Sequence, residues 1–120
     1  MIAALALVLS ITPIIPPAPV RGFLTAGRLE QYCSAPLEDR ENLMPLCFGY
    51  LAGSWDQLLA SAAQAKRPTL CAPSDLSLDD TRLKFLQYMA ENPGLREVGA
   101  ASTIESTAWA SFSCPAPWGF

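Results

Sequence analysis

Residues Met44–Ala63 read MPLCFGYLAGSWDQLLASAA, and this stretch decides the fold. Met44, Phe48, Leu51, Trp55, Leu58 and Ala62 succeed one another at steps of four, three, four, three and four. That spacing is one face of an α-helix, and so apolar a face has to be covered by other elements. Pro45 suits the first turn of such a helix, where its missing N–H costs nothing. Outward from this stretch the patterns are again helical, and no period-two alternation marks a strand. A first helix runs from Thr25, a good N-cap residue, to near Cys33, with Leu29, Tyr32 and Cys33 on one face and Pro36 as its stop. Leu37 to Asn42 is a charged, solvated connector. A third helix starts at Ser77 with Asp80 three residues on, the spacing of a capping box. Leu83, Leu86, Met89 and Ala90 form its buried stripe, and Asn92-Pro93-Gly94 stops it. A fourth runs from about Leu95 to Phe112, with Val98, Ala101, Ile104 or Glu105, Ala108 and Phe112 on its face. The expected fold class is all-α, a small four-helix bundle.

Residues 1–20 stand apart from the domain at 21–120. Met1 to Ile15 is almost wholly apolar, and the Pro13 to Pro19 stretch is a stiff, extended linker. The run before Pro13 has the length of a signal-peptide core and is short for a membrane span. No Lys or Arg precedes it, and Ala18 is followed by Pro19, which hinders cleavage at that point. A cleaved export signal, cut after Gly22 or Ala26, and an uncleaved membrane tether both stay open.

About 95 residues then remain, enough for one modest core that gains from covalent help. The four cysteines, Cys33, Cys47, Cys71 and Cys114, are an even set in a short exported chain and read as two disulfides. The rival, a zinc site, is poorly served: the chain has no histidine and no Cys-x-x-Cys pair. Eight Lys and Arg against 11 Asp and Glu give a net charge of −3, the wrong sign for a nucleic-acid partner. Without histidine there is no ready base near neutral pH, and paired cysteines are not nucleophiles. The carboxylates fall in two short clusters, Glu38/Asp39/Glu41 and Asp75/Asp79/Asp80. Such clusters on loops and helix starts are solvated or complement the helix dipole. The chain therefore reads as a binding protein, with no catalytic residue, cofactor or metal.

Gly49 and Gly53 stand one turn apart inside the second helix. Each weakens an isolated helix by roughly 1 kcal/mol relative to alanine, so close contact with another helix is expected to offset them. Asp56, beside Trp55, is expected to be a buried acceptor tying this helix to a loop backbone.

Cys47–Asp56, CFGYLAGSWD, resembles the C-x-G-Y-x-x-G-x-x-D segment of the Rap/Tai family, the immunity proteins of type VI secretion. Cys71-Ala-Pro73 resembles that family's C-x-P before its third helix. Tyr88 to Pro93 resembles its proline-ended helix, and Phe112-Ser-Cys114 its closing F-P-C, with Ser113 in place of the proline. Cys33 matches the cysteine that closes the first helix. The likeness covers about Thr25 to Cys114. It implies a helical fold similar to the acid-stress chaperone HdeA, a periplasmic location, and a protein partner: a secreted antibacterial effector, notably a cell-wall amidase, blocked at its active site by an inhibitor that is often a homodimer. Gly49, Tyr50, Gly53, Asp56, Pro73 and Pro93 are structural residues of that signature, and Trp55 is expected to be structural too, buried on the inner face of the second helix. Toxin-facing residues do not carry over. Two other readings stand beside it, a periplasmic stress chaperone of HdeA type and an envelope protein of unknown partner.

Four cysteines allow three pairings. The expected one joins Cys33 to Cys114 and Cys47 to Cys71. The first bridge would tie the two ends of the bundle, as the resemblance to HdeA supports. The second would pin the loop entering the third helix. Two braced loops are the expected docking elements, Leu37 to Leu43 with Glu38, Asp39 and Glu41, and Gln64 to Asp75 with Lys66 and Arg67.

Overall fold

The computed structural model describes residues 22–65 and 69–115, with Ala3, Ala4 and Ala6. The rest of the N-terminal segment and linker, together with Lys66 and Arg67, lies outside the described residues. Four helices follow one another: α1 (Ala26–Cys33), α2 (Arg40–Gln64), α3 (Leu78–Glu91) and α4 (Ala100–Phe112). Short 3-10 turns, Leu37–Asp39 and Pro93–Leu95, precede α2 and follow α3. The described residues hold no strand, only isolated bridges pairing Thr25 with Gly99 and Leu70 with Ser113. The all-α, four-helix expectation is met, and no helix among the described residues is long and apolar enough to cross a membrane.

Each helix packs against the other three. Their shared core is Leu29, Leu51, Phe85, Met89 and Ile104, closed by the fully buried Cys33 and Cys47. From α2 it takes Cys47, Leu51 and Trp55, while Met44 and Leu58 are partly buried against it. Trp55 is 4% exposed and meets Phe112 of α4 edge-on, ring centroids 5.9 Å apart. The buried threonines Thr103 and Thr107 are tolerated because their hydroxyls donate to the carbonyls of Gly99 (3.1 Å) and Thr103 (2.8 Å).

The junction of α1 and α4 is built from helix ends. First-turn N–H groups have no acceptor inside their own helix. Here Ala26 donates to the carbonyl of Val98 (2.8 Å), Gly27 to that of Arg96 (2.9 Å), and Ala100 to that of Leu24 (2.9 Å). This cross-pairing occupies the chain before Ala100, so α4 starts five residues later than its apolar pattern suggests. Val98 and Ala101, expected inside, are exposed. A Cβ at Gly27 would stand 3.1 Å from both the Cβ and the carbonyl oxygen of Arg96. The close approach expected at Gly49 and Gly53 is therefore made at Gly27. Both α2 glycines are exposed, and an added Cβ would meet nothing within 4 Å.

Three further expectations are corrected. α2 begins at Arg40, not Met44, because the Leu37–Asp39 turn feeds directly into it, which leaves Pro45 inside the helix. The missing Pro45 N–H withdraws a donor from the Glu41 carbonyl, in a first turn that is exposed to solvent. α3 is rotated relative to its expected stripe: Thr81, Phe85 and Met89 are buried, while Leu83 is 52% exposed and Ala90 faces solvent. Phe85 is among the largest side chains in the core, and burying it turns Leu83 outward. The disulfides are Cys33–Cys47 and Cys71–Cys114, not Cys33–Cys114 and Cys47–Cys71. Cys33 closes α1 and Cys47 lies two turns into α2, so the short connector brings their Cα atoms to 5.0 Å. Cys71 and Cys114 are aligned by backbone pairing of their segments, at 4.9 Å.

Candidate protein-docking surface

The chain from Thr69 to Ser77 crosses from the end of α2 to the start of α3 and is fixed at both ends. At its beginning, the Cys71 N–H donates to the Phe112 carbonyl (2.7 Å) and the Cys114 N–H to the Thr69 carbonyl (3.1 Å), around the disulfide. At its end, Ser77 caps α3. Its hydroxyl accepts from the Asp80 N–H and its N–H donates to the Asp80 carboxylate, each at 3.0 Å. That backbone hydrogen bond, followed by the one to the Ser77 side chain, holds the Asp80 carboxyl below its ordinary range. Between the anchors, the Leu76 N–H donates to the Pro73 carbonyl (3.2 Å), turning the loop back on itself.

Pro73 and Leu76 form a ridge with a cleft on each side. The cleft toward α2, about 490 Å³, is lined by Ala52, Trp55, Asp56, Leu59, Leu78 and Thr81 besides the loop itself. The other, about 380 Å³, is lined by Asp80, Leu83, Lys84, Gln87 and Phe112. Leu59 and Leu78, each 42% exposed, and Leu83 stand at these clefts. Exposed leucines gathered around one pre-ordered ridge, with charged groups beside them, have the make-up of a protein-binding patch.

Asp56 is exposed on the wall of the first cleft rather than buried as a tie, and it accepts no hydrogen bond from the described residues. Tyr50 packs half-buried against the core; Pro73 is exposed on the ridge, and Pro93 opens the 3-10 turn after α3. Glu38 and Asp39 sit on the 3-10 turn before α2 and Glu41 in its first turn, all exposed. None of the three lines either cleft, and Glu41 lies about 16 Å of helical rise before Ala52. The acidic trio is thus a separate patch. Arg82 of α3 is held inward: it pairs with Asp79 (2.8 Å) and donates to the Cys33 carbonyl (3.1 Å). Leu59, Leu78 and Leu83, at the clefts beside the ridge, are not among the docking residues expected from the sequence. A signal existed, since Leu58 and Leu59 are adjacent and cannot both face the core of one helix.

Compared with known families, the chain is similar over residues 25–114 to the Rap1a immunity proteins. No curated protein and no solved structure gives a significant match.

Proposed function

This chain belongs to the Rap1a immunity protein family, and from that premise we propose that it is exported to the periplasm, binds a secreted antibacterial effector of the type VI class, a cell-wall amidase, and occludes its catalytic cleft with the ridge at Pro73–Leu76. The observation that carries this reading is the ridge itself. Its Pro73 is exposed and its Leu76 half-buried between two clefts, and the loop is held before binding by a disulfide and a capping box. A loop ordered in advance loses less entropy when it enters a cleft. Two disulfides suit an oxidising compartment and support export. The exposed trio Glu38, Asp39 and Glu41 offers a second, acidic contact.

A pull-down from periplasm followed by mass spectrometry identifies the effector, and titration calorimetry then measures variants against it. Leu83→Asp, and Leu59→Asp combined with Leu78→Asp, are expected to weaken binding at least about 100-fold, the scale of losing an interface anchor, with the helical circular dichroism unchanged. Alanine at Glu38, Asp39 and Glu41 is expected to cost about tenfold or less, as rim charges do. Wild-type affinity in all the leucine variants would remove the clefts beside the ridge from the interface, and with them the reading that the ridge docks. Light scattering of the same samples tests the homodimer.

A further inference from the structure

We propose that Cys71–Cys114 is a thiol-exchange site through which a dithiol reductant controls the order of the Thr69–Ser77 loop, while Cys33–Cys47 is a permanent staple. The two bridges differ in what surrounds them. Cys33 and Cys47 are both fully buried in the four-helix core. Cys71 is exposed and Cys114 half-buried. Thiol–disulfide exchange needs a thiolate to reach one sulfur along the S–S axis, so access governs which bridge reacts in the folded protein. The exposure of Cys71 is expected to let a dithiol attack there without opening the fold, whereas the core bridge is reached only after α1 and α2 separate.

The step balances without another participant. One thiolate of the dithiol attacks the Cys71 sulfur, and the S–S electron pair leaves on Cys114, which takes up a proton. The second thiol of the reductant then closes its own disulfide and releases Cys71 as a thiol. Two electrons and two protons pass to the protein, and the reductant ends oxidised.

The consequence falls on the ridge. The bridge is the covalent link between this loop and the end of α4, and the segments also hold each other through the two backbone hydrogen bonds beside it. Those bonds lie at the edge of the domain, where the end of α4 frays most readily. With the bridge released, only those two bonds and the half-buried Leu70, Ala72 and Leu76 hold the segment to the core, so the loop loosens while the four helices stay packed. Control of docking rests on the proposed function; the chemistry and the loosening do not, and they are tested without an effector.

The full chain is titrated with dithiothreitol under native conditions, quenched with an alkylating agent and peptide-mapped. Cys71 and Cys114 are expected to be labelled at least about tenfold faster than Cys33 and Cys47. Hydrogen exchange on the partly reduced protein is expected to show lost protection within residues 69–77 and 112–115, with the helical circular dichroism retained. Cys71→Ser combined with Cys114→Ser is expected to show the same exchange pattern without reductant. Simultaneous labelling of both pairs, or earlier labelling of Cys33 and Cys47, would overturn the selectivity. Selective labelling with unchanged protection in the loop would overturn the control. A separate effector titration with the leucine variants decides the docking reading, so either idea can fail alone.

Discussion

The two cystine regions put the same covalent bond to different use. Cys33–Cys47 closes 14 residues of chain and sits in the core among α1, α2 and their neighbours. Cys71–Cys114 closes 43 residues and lies at the edge, joining a loop to the end of a helix. Chain entropy alone favours the longer closure, about 4 kcal/mol against about 3. Burial reverses that order: the core bridge also fills space that would otherwise be empty, at roughly 1 kcal/mol per buried sulfur. A disulfide's contribution thus depends on its surroundings as much as on the length of chain it closes.

Removing each bridge in turn tests this difference most directly. Cys33→Ala with Cys47→Ala is expected to destabilise the domain by about 5 kcal/mol, entropy and cavity together, a large part of a small domain's stability. Cys71→Ala with Cys114→Ala is expected to cost no more than about 4 kcal/mol. Urea titration followed by circular dichroism reads both. If the edge pair proves the more costly, burial is not what separates the two regions.

What the sequence made legible follows the same division. The second helix was readable because Leu51 and Trp55 lie at helical spacing on one stripe, and both are buried. Thr25 and Ser77 were readable because caps are local chemistry: Thr25 accepts from the Arg28 N–H at 3.2 Å, and Ser77 completes its box. The third helix was misphased because it carries two apolar stripes, and only packing against the other helices decides that Phe85, not Leu83, turns inward. The start of α4 was missed because Arg96 and Val98 are taken up by the ends of α1, a tertiary event with no local signature. The cysteine pairing failed for the same reason: it is set by which backbones meet. Leu83 became visible only once the phase of α3 was corrected, whereas Leu59 was off the α2 stripe from the start, and a leucine off the stripe is a leucine on the surface.

A smaller effect tests the loop's other anchor. Ser77→Ala removes the hydroxyl that accepts from the Asp80 N–H and is expected to cost about 1 kcal/mol, the usual value of an N-cap. Hydrogen exchange should place the loss at the start of α3, not in the core. Because the folded state holds the Asp80 carboxyl below its ordinary pKa, the stabilisation it gives is present above about pH 4 and disappears as pH falls through the folded value. Thermal melts taken from neutral pH down to about pH 2 should therefore show acid sensitivity in the wild type that is reduced in Asp80→Asn. An unchanged pH dependence in that variant would mean that the capping box does not anchor the loop.

The smallest effect has the opposite sign and concerns α2, the helix that runs past both regions. Gly53 lies in its interior with an open surface where a Cβ would go, beside a shallow groove shared with Ala101 and Glu105 of α4. With no clash to offset the gain, Gly53→Ala is expected to stabilise the domain by about 0.5–1 kcal/mol through helix propensity. Gly27→Ala should do the reverse, because its Cβ would press on the Arg96 backbone, which the Gly27 N–H already holds. For a domain of this size the Gly53 gain corresponds to a rise in Tm of a few degrees, readable by calorimetry. If Gly53→Ala lowered Tm instead, the groove between α2 and α4 would have to close in solution, and Gly53 would face a neighbour and not open space.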